Sequence, residues 1–148
     1  MSYRGAFYSA DGARSHPGCV QRPRLPFAVA ATGRRGMRVA ARHGDTWVSV
    51  GDHDRTALGA VAGAQVVREQ MDRLDTACIA AGRDPASLRR LVLSGANLDG
   101  GLASVDAFAD TVGRYAEIGV TDFVVHWPRA SAPYAADPAV FERIFSSR

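Results

Sequence analysis

The chain has 148 residues, 47% of them hydrophobic, and a formal net charge of +3. That length supports one ordinary domain with a real core, and no apolar run approaches the ~18 residues of a membrane-spanning helix. All 18 basic residues are arginine; they are spread along the sequence among acids, without the basic stripe and stacking aromatics of a nucleic-acid groove.

The absence of lysine, with abundant Ala and Gly, is the compositional mark of a GC-rich genome. The first residues, MSYRGAFYSADGARSH, carry no apolar stretch of the kind a secretory signal needs. Cys19 and Cys78 match no metal-ligand spacing. A cytoplasmic protein is the expectation.

Residues 3–22 are turn-rich. Tyr3, Phe7 and Tyr8 precede Ala10-Asp11-Gly12, and Pro17 and Pro23 follow. Asp-Gly between short aromatic segments predicts a hairpin or an irregular excursion. Residues 1–24 are therefore read as an insertion or hairpin segment and 25–148 as the repeating part.

From Leu25 onward a regular alternation sets in. Phe27–Ala31 is a short apolar run, read as a buried strand. Arg34–His43 is a helix, with Gly44 placed as its stop. Thr46–Val50 is a second strand, and Gly51–Gly59 a polar loop. A long helix covers about Ala60–Ala81, with Val67, Met71, Leu74 and Cys78 on one face. Gly82 ends it and Pro85 lies just beyond. Leu91–Ala96 is a third strand. Ser104 or Asp106 caps the next helix, which carries Val105, Phe108, Val112 and Tyr115 on a stripe. Asp122–Trp127 holds a fourth strand. Asp137-Pro138 opens a last helix with Val140, Phe141, Ile144 and Phe145 inward.

Four strand–helix units imply a parallel sheet covered by helices, an α/β fold. An open doubly wound sheet fits this pattern. So does (β/α)4, half of a TIM (β/α)8 barrel, whose usual length is ~250 residues.

In either architecture the functional face lies at the C-terminal ends of the strands. The turn Ala30-Ala31-Thr32-Gly33 falls there, at a helix start. Small residues let backbone N–H groups approach an anion, and the helix dipole adds partial positive charge. Thr32 offers a hydroxyl, and Arg34 or Arg35 a charge. The rival reading is a tight βα turn with both arginines in solvent. The loop after the second strand places His53 and Arg55 as candidates for an anionic substrate or cofactor tail; a merely solvated loop is the alternative. Asp52, His53 and Asp54 are sequential neighbours, which rarely converge on one metal ion. Asn97 and Asp99 follow the third strand. His126 and Trp127 end the fourth, and alternation sends one inward and the other toward the helices. No nucleophile elbow, Walker A loop, paired acids or Gly-x-Gly-x-x-Gly fingerprint is present.

The stretch PRLPFAVAATGRRGMRVAARHGDTWV resembles the bacterial luciferase-like monooxygenase family, which includes oxidoreductases using the deazaflavin F420. Its features are a strand opened by Pro, a small-residue phosphate turn, an Arg-rich helix and Gly-Asp-x-Trp. Upstream, RGAFYSADGARSHPGCVQRP resembles the insertion before this strand. Downstream, CIAAGRDPASL and AEIGVTDFVVHWP are similar to a later helix end and the final strand of the family.

The resemblance implies a (β/α)8 barrel with a flavin or deazaflavin at its C-terminal face. Ala30, Ala31, Thr32, Gly33 and Arg34 then hold the cofactor phosphate. Ala-Ala before Thr-Gly points to F420, with FMN as the alternative. The loop carrying His53 and Arg55 would take the substrate's anionic part. The chain begins in the insertion before the fifth strand, so no catalytic residue is carried over. It is expected to be a truncated chain or a half-barrel. The implied activity is hydride transfer between the (deaza)flavin and a small organic substrate. The rival functions are a non-catalytic flavin-binding or assembly half-barrel protein, and an unrelated α/β binding domain. Four units leave two sheet edges and an inner face open, so the expected partner is a second copy in a homodimer or a complementary half-barrel.

Overall fold

The structure, a computed structural model, describes residues 1–14, 16–52 and 58–146. Two short strands, β1 (Tyr3–Arg4) and β2 (Ser9–Ala10), pair antiparallel. Their turn is closed by the Gly5 N–H on the Tyr8 carbonyl, 2.9 Å, so it precedes the Asp11-Gly12 pair that suggested it. Apart from half-buried Ala10, every described residue before Val29 is exposed. The aromatics Tyr3, Phe7 and Tyr8 therefore contribute nothing to the core.

Beyond the hairpin lies the expected α/β architecture. Strands β3 (Ala28–Ala30), β4 (Thr46–Ser49), β5 (Arg89–Leu93) and β6 (Asp122–Val124) form one parallel sheet in sequence order. The helices are α1 (Arg34–His43), α2 (Ala60–Ala80), α3 (Val105–Glu117) and α4 (Pro138–Ser146). Among the described residues β3 and β6 each have one strand neighbour, so the sheet has two edges. No described helix is long and apolar enough to cross a membrane.

Register explains the layering. Val29 pairs with Trp47, and Ser49 with Val92, which pairs with Phe123. These side chains point one way and pack with Met37, Ala40, Val67, Met71, Leu74, Cys78 and Tyr115 of the helices. The alternate row, Ala30–Val48–Leu91–Asp122, points the other way. None of its members belongs to that core.

The strand bounds shift for a physical reason. The third strand begins at Arg89 rather than Leu91 because both arginines find partners. Arg89 pairs with Asp122 on the neighbouring strand, and Arg90 reaches Asp75 of α2 at 2.6 Å. An apolar-run criterion cannot see a strand start that is neutralised by ion pairs. The fourth strand is shorter than expected: it ends at Val124, and His126 and Trp127 lie beyond it.

Helix ends follow two routes. At Gly82, φ is +71°, and Arg83 N–H bonds back to Cys78 O while Gly82 N–H bonds to Ile79 O. That is the left-handed Schellman termination that glycine favours. Gly44 works differently. Its φ is −75°, but a Cβ there would lie 2.8 Å from the Ala40 carbonyl oxygen. Close approach, not conformation, requires glycine at that stop. Ser104 caps α3 by accepting the Ala107 N–H, and Asp137 caps α4 by accepting that of Ala139. On α3, Tyr115 is buried as expected, but Val105 is exposed and Thr111 is buried in its place.

Candidate functional site

The turn after β3 is held from two sides. The Ala31 N–H donates to Val48 O at 3.3 Å, and the Trp47 indole N–H donates to Ala31 O at 2.7 Å. Trp47 is fully buried, so this bond anchors the turn to the core. Gly36 completes the arrangement: a Cβ there would lie 2.9 Å from the Ala31 Cβ. Glycine therefore lets the first turn of α1 lie against the loop.

Gly33 stands at the N-cap of α1, and no side chain caps the helix. The first intrahelical bond runs from Met37 N–H to Gly33 O. The N–H groups of Arg34, Arg35 and Gly36 have no intrahelical partner, as at every helix start. A Cβ on Gly33 would meet no atom within 4 Å, so the space over these donors is open. The first turn contains no acid, and two arginines occupy it. Cations oppose the dipole at this end of a helix, by about 0.3–1 kcal/mol each. A bound anion reverses that sign.

Beside the turn is a cleft of about 270 Å³ lined by Thr32, Gly33, Asp52, Glu69, Gln70 and Arg73, among others. Its far wall is set by a buried network. The Ser49 hydroxyl donates to Gln70 Oε1 at 2.5 Å and accepts the Gly51 N–H at 3.1 Å. Gln70 Nε2 donates to Gly51 O at 3.1 Å. Ser49 and Gln70 thereby fix how the chain leaves β4. The substrate candidates His53 and Arg55 lie outside the described residues.

A second region sits over the ends of β5 and β6. Ser94, Gly95, Asp99, His126 and Tyr134 line a cleft of about 180 Å³. Adjoining it is one of about 290 Å³ that adds Val50, Leu93 and Asn97. His126 and Tyr134 are in ring contact, with centroids 4.3 Å apart. A Cβ on Gly95 would lie 3.0 Å from both rings, so glycine allows them to close over the backbone. Trp127 turns the other way and packs edge-on against Phe141 of α4, with centroids 5.0 Å apart. The expected alternation thus persists past the strand. Asn97 O accepts the Leu58 N–H, and Asp99 N–H donates to Leu58 O, which ties this loop to the one after β4.

Sequence reading missed Tyr134, which lies in a Pro-containing loop with no periodicity. It also missed the Trp47 anchor, although Trp directly after Gly-Asp-Thr was a visible signal. Among the described residues no group of three His, Cys, Asp or Glu side chains gathers as a metal site.

Comparison with known proteins adds to this geometry. Among curated proteins no sequence matches the chain. The solved structures that share its fold include two F420-dependent enzymes. One is an F420-dependent secondary alcohol dehydrogenase in complex with an F420-acetone adduct; its TM-score is 0.65 at 10% identity, over 99% of this chain and 55% of that one. The other is the coenzyme F420-dependent tetrahydromethanopterin reductase from Methanopyrus kandleri; its TM-score is 0.60 at 11% identity, over 93% of this chain and 53% of that one. The chain therefore spans about half the length of these structures. The family model for luciferase-like monooxygenase matches residues 1–99, two-thirds of the sequence. The chain belongs to the luciferase-like monooxygenase family.

Proposed function

We propose that this chain holds the phosphate of F420 at the turn Ala30–Arg34, as part of an oxidoreductase. The observation that carries this reading is the start of α1. It combines open backbone donors, small flanking residues and two arginines where the helix dipole disfavours cations. These features fit a phosphate. F420, the coenzyme of both structural neighbours, favours a deazaflavin over FMN.

When bound, the deazaflavin ring would accept or give up a hydride from a small organic substrate. The chain's own residues bind and orient. Trp47 fixes the Ala31 carbonyl, Thr32 supplies a hydroxyl, and Arg34 adds charge. The small side chains of Ala28 and Ala30 on the uncovered sheet face leave room beside the turn. Hydride transfer is proposed for a closed barrel. The uncovered face would be lined by further βα units, from the same polypeptide, a complementary half-barrel or a second copy.

Fluorescence titration of the chain with F420, and in parallel with FMN, tests the cradle. Thr32→Arg and Gly33→Asp should each weaken F420 binding by about tenfold or more, by crowding or repelling a phosphate worth at least one charge-assisted hydrogen bond. Equal affinity in either variant removes the cradle assignment. Tighter binding of FMN than of F420 changes the cofactor and keeps the cradle. A turnover assay beside the titration separates hydride transfer from binding alone.

A further inference from the structure

Helix α2 carries a second stripe, on the side away from its buried one. Val61, Gln65, Arg68, Asp72, Asp75 and Ile79 recur at steps of four, three, four, three and four. That is the spacing of an a/d seam, with Gln65, Asp72 and Ile79 at one position and Val61, Arg68 and Asp75 at the other. The buried residues Val67, Met71, Leu74 and Cys78 fall outside it. All members of the seam are exposed except Asp75, and Val61 and Ile79 strongly so, at 66% and 70%. Asp75 is half-buried and receives Arg90 at 2.6 Å.

The seam is self-complementary. An antiparallel helix pair matches each a position with a d position of its partner. About a twofold axis at the level of Gln70, Val61 meets the second copy's Ile79, Gln65 meets its Asp75, and Arg68 meets its Asp72; the symmetry makes each contact twice. Apolar faces apolar at both ends, amide faces carboxylate, and cation faces anion in the middle. A parallel pair would set Arg68 against Arg68 and Asp72 against Asp72. Charge alone therefore selects the antiparallel arrangement.

A single copy leaves the seam unsatisfied. Arg68 and Asp72 are four residues apart, yet neither side chain forms an ion pair or hydrogen bond with a described residue. Arg ahead of Asp is the less favourable order within one helix. Val61 and Ile79 stand in water about 27 Å apart along the axis, on a face where a surface helix ordinarily carries polar residues.

We propose that a second copy of this chain docks antiparallel along the outer face of α2, in the register that pairs Arg68 with Asp72 and Val61 with Ile79. This is independent of the phosphate reading of the turn. It is also distinct from closure of the sheet, because α2 packs on the covered side and the seam points away from it. Polar residues in a seam fix register at a cost in stability, and a single helix pair buries little area, so the dimer is weak and transient.

Sedimentation equilibrium of the full 148-residue chain, up to millimolar concentration, tests this. The parent should show a reversible monomer–dimer equilibrium that salt weakens. Arg68→Asp and Asp72→Arg should each weaken it by about tenfold or more, since each sets like charges opposite one another twice. An equimolar mixture of the two variants should associate again, because every acid then faces an arginine of the other chain. A cross-link reads the register without altering charge. In a Cys19→Ser background, Val61→Cys mixed with Ile79→Cys should form a disulfide. Neither should do so alone, with its two thiols about 27 Å apart in the dimer.

A parent that stays monomeric at millimolar concentration overturns the proposal and leaves the stripe to a helix of another protein. A parent dimer that both charge variants match in strength overturns it too, and moves the association to the sheet edges or the open face. Charge variants that stay monomeric when mixed, or cysteine variants that cross-link as well alone as together, overturn the antiparallel register.

Discussion

On one side of the sheet, Trp47, Ser49, Val92 and Phe123 lie under the helices; on the other, Ala30, Val48 and Leu91 have no described layer packed over them. Both rows are largely apolar. A one-sided antiparallel sheet would have put polar residues on its open face, whereas strands buried on both faces are apolar throughout. The open face is mixed: Ala30, Val48 and Leu91 are apolar as on a covered face, whereas Thr46, Arg89 and Asp122 on the same face are polar or charged. The side chains differ in size as well: the covered row carries Trp47 and Phe123, the open row Ala28 and Ala30. The largest side chains of the sheet are packed under the helices, while on β3 the open face carries only alanine.

Adjacent residues of β4 give the sharpest break in this contrast. Trp47→Ala should cost about 3–5 kcal/mol, through lost transfer energy and the cavity left behind. It also removes the indole N–H bond to Ala31 O. Val48→Ala, one residue on and facing the open side, should cost less than about 1 kcal/mol in the isolated chain. Urea denaturation of both variants measures the difference. A Val48→Ala cost near that of Trp47→Ala would mean that the open face is covered in solution, and the cost should then depend on protein concentration.

The contrast also shows what was legible in the sequence. Arg34–His43 and the start of α2 at Ala60 were readable because an amphipathic period and small-residue caps coincide there. The buried stripe Val67, Met71, Leu74 and Cys78 followed from spacing alone. The strand-to-helix junction at Ala30–Gly33 was visible because its small residues fall between an apolar run and an amphipathic period. The long-range partners were not. Arg89 begins a strand only because Asp122 stands opposite, 33 positions later in sequence. Gln70, in the middle of α2, is polar and lies off the apolar stripe, yet it is buried against Ser49 and Gly51. Such pairings depend on which loops meet, and local pattern does not encode that.

A smaller effect lies inside the covered layer. Tyr115 is 1% exposed, and its hydroxyl has no hydrogen-bond partner among the described residues. Burial, and secondarily the charge of Asp99, pushes its pKa up to about 12. Tyr115→Phe keeps the ring and deletes the unpaired hydroxyl, so it should be neutral or stabilising by up to about 1 kcal/mol at pH 7. The sign of the pH effect follows from linkage. Below the ordinary tyrosine value of about 10 the phenol is protonated in both states. Between about 10 and 12 the unfolded chain loses the proton and the folded one keeps it, so the parent loses stability as pH rises. The advantage of the Phe variant should therefore widen above pH 10 in melting curves. A constant gap would mean that the hydroxyl reaches solvent.

The smallest effect sits at the bottom edge of the sheet, far from the turn. Asp45 accepts the Phe27 N–H at 2.8 Å and pairs with Arg24 at 2.6 Å, while its own N–H donates to Phe27 O. The backbone hydrogen bond from Phe27, and then the Arg24 guanidinium, hold its carboxyl below the ordinary range. A depressed carboxyl stabilises the fold above its unfolded value of about 3.9 and loses that contribution as pH falls through the folded value. Asp45→Asn keeps an acceptor for the Phe27 N–H but cannot titrate. Asp110 and Asp122 are depressed too, the first by Arg114 and the second by Thr121 and then Arg89. The variant should therefore flatten the acid limb of the stability curve only in part, and leave pH 6–8 nearly unchanged because the pair is solvent-exposed and screened. Urea midpoints taken from pH 6 down to pH 2 would show this. An acid limb as steep as the parent's would mean that Asp45 does not hold the β3 start in solution, and that the other two carboxylates carry the whole dependence.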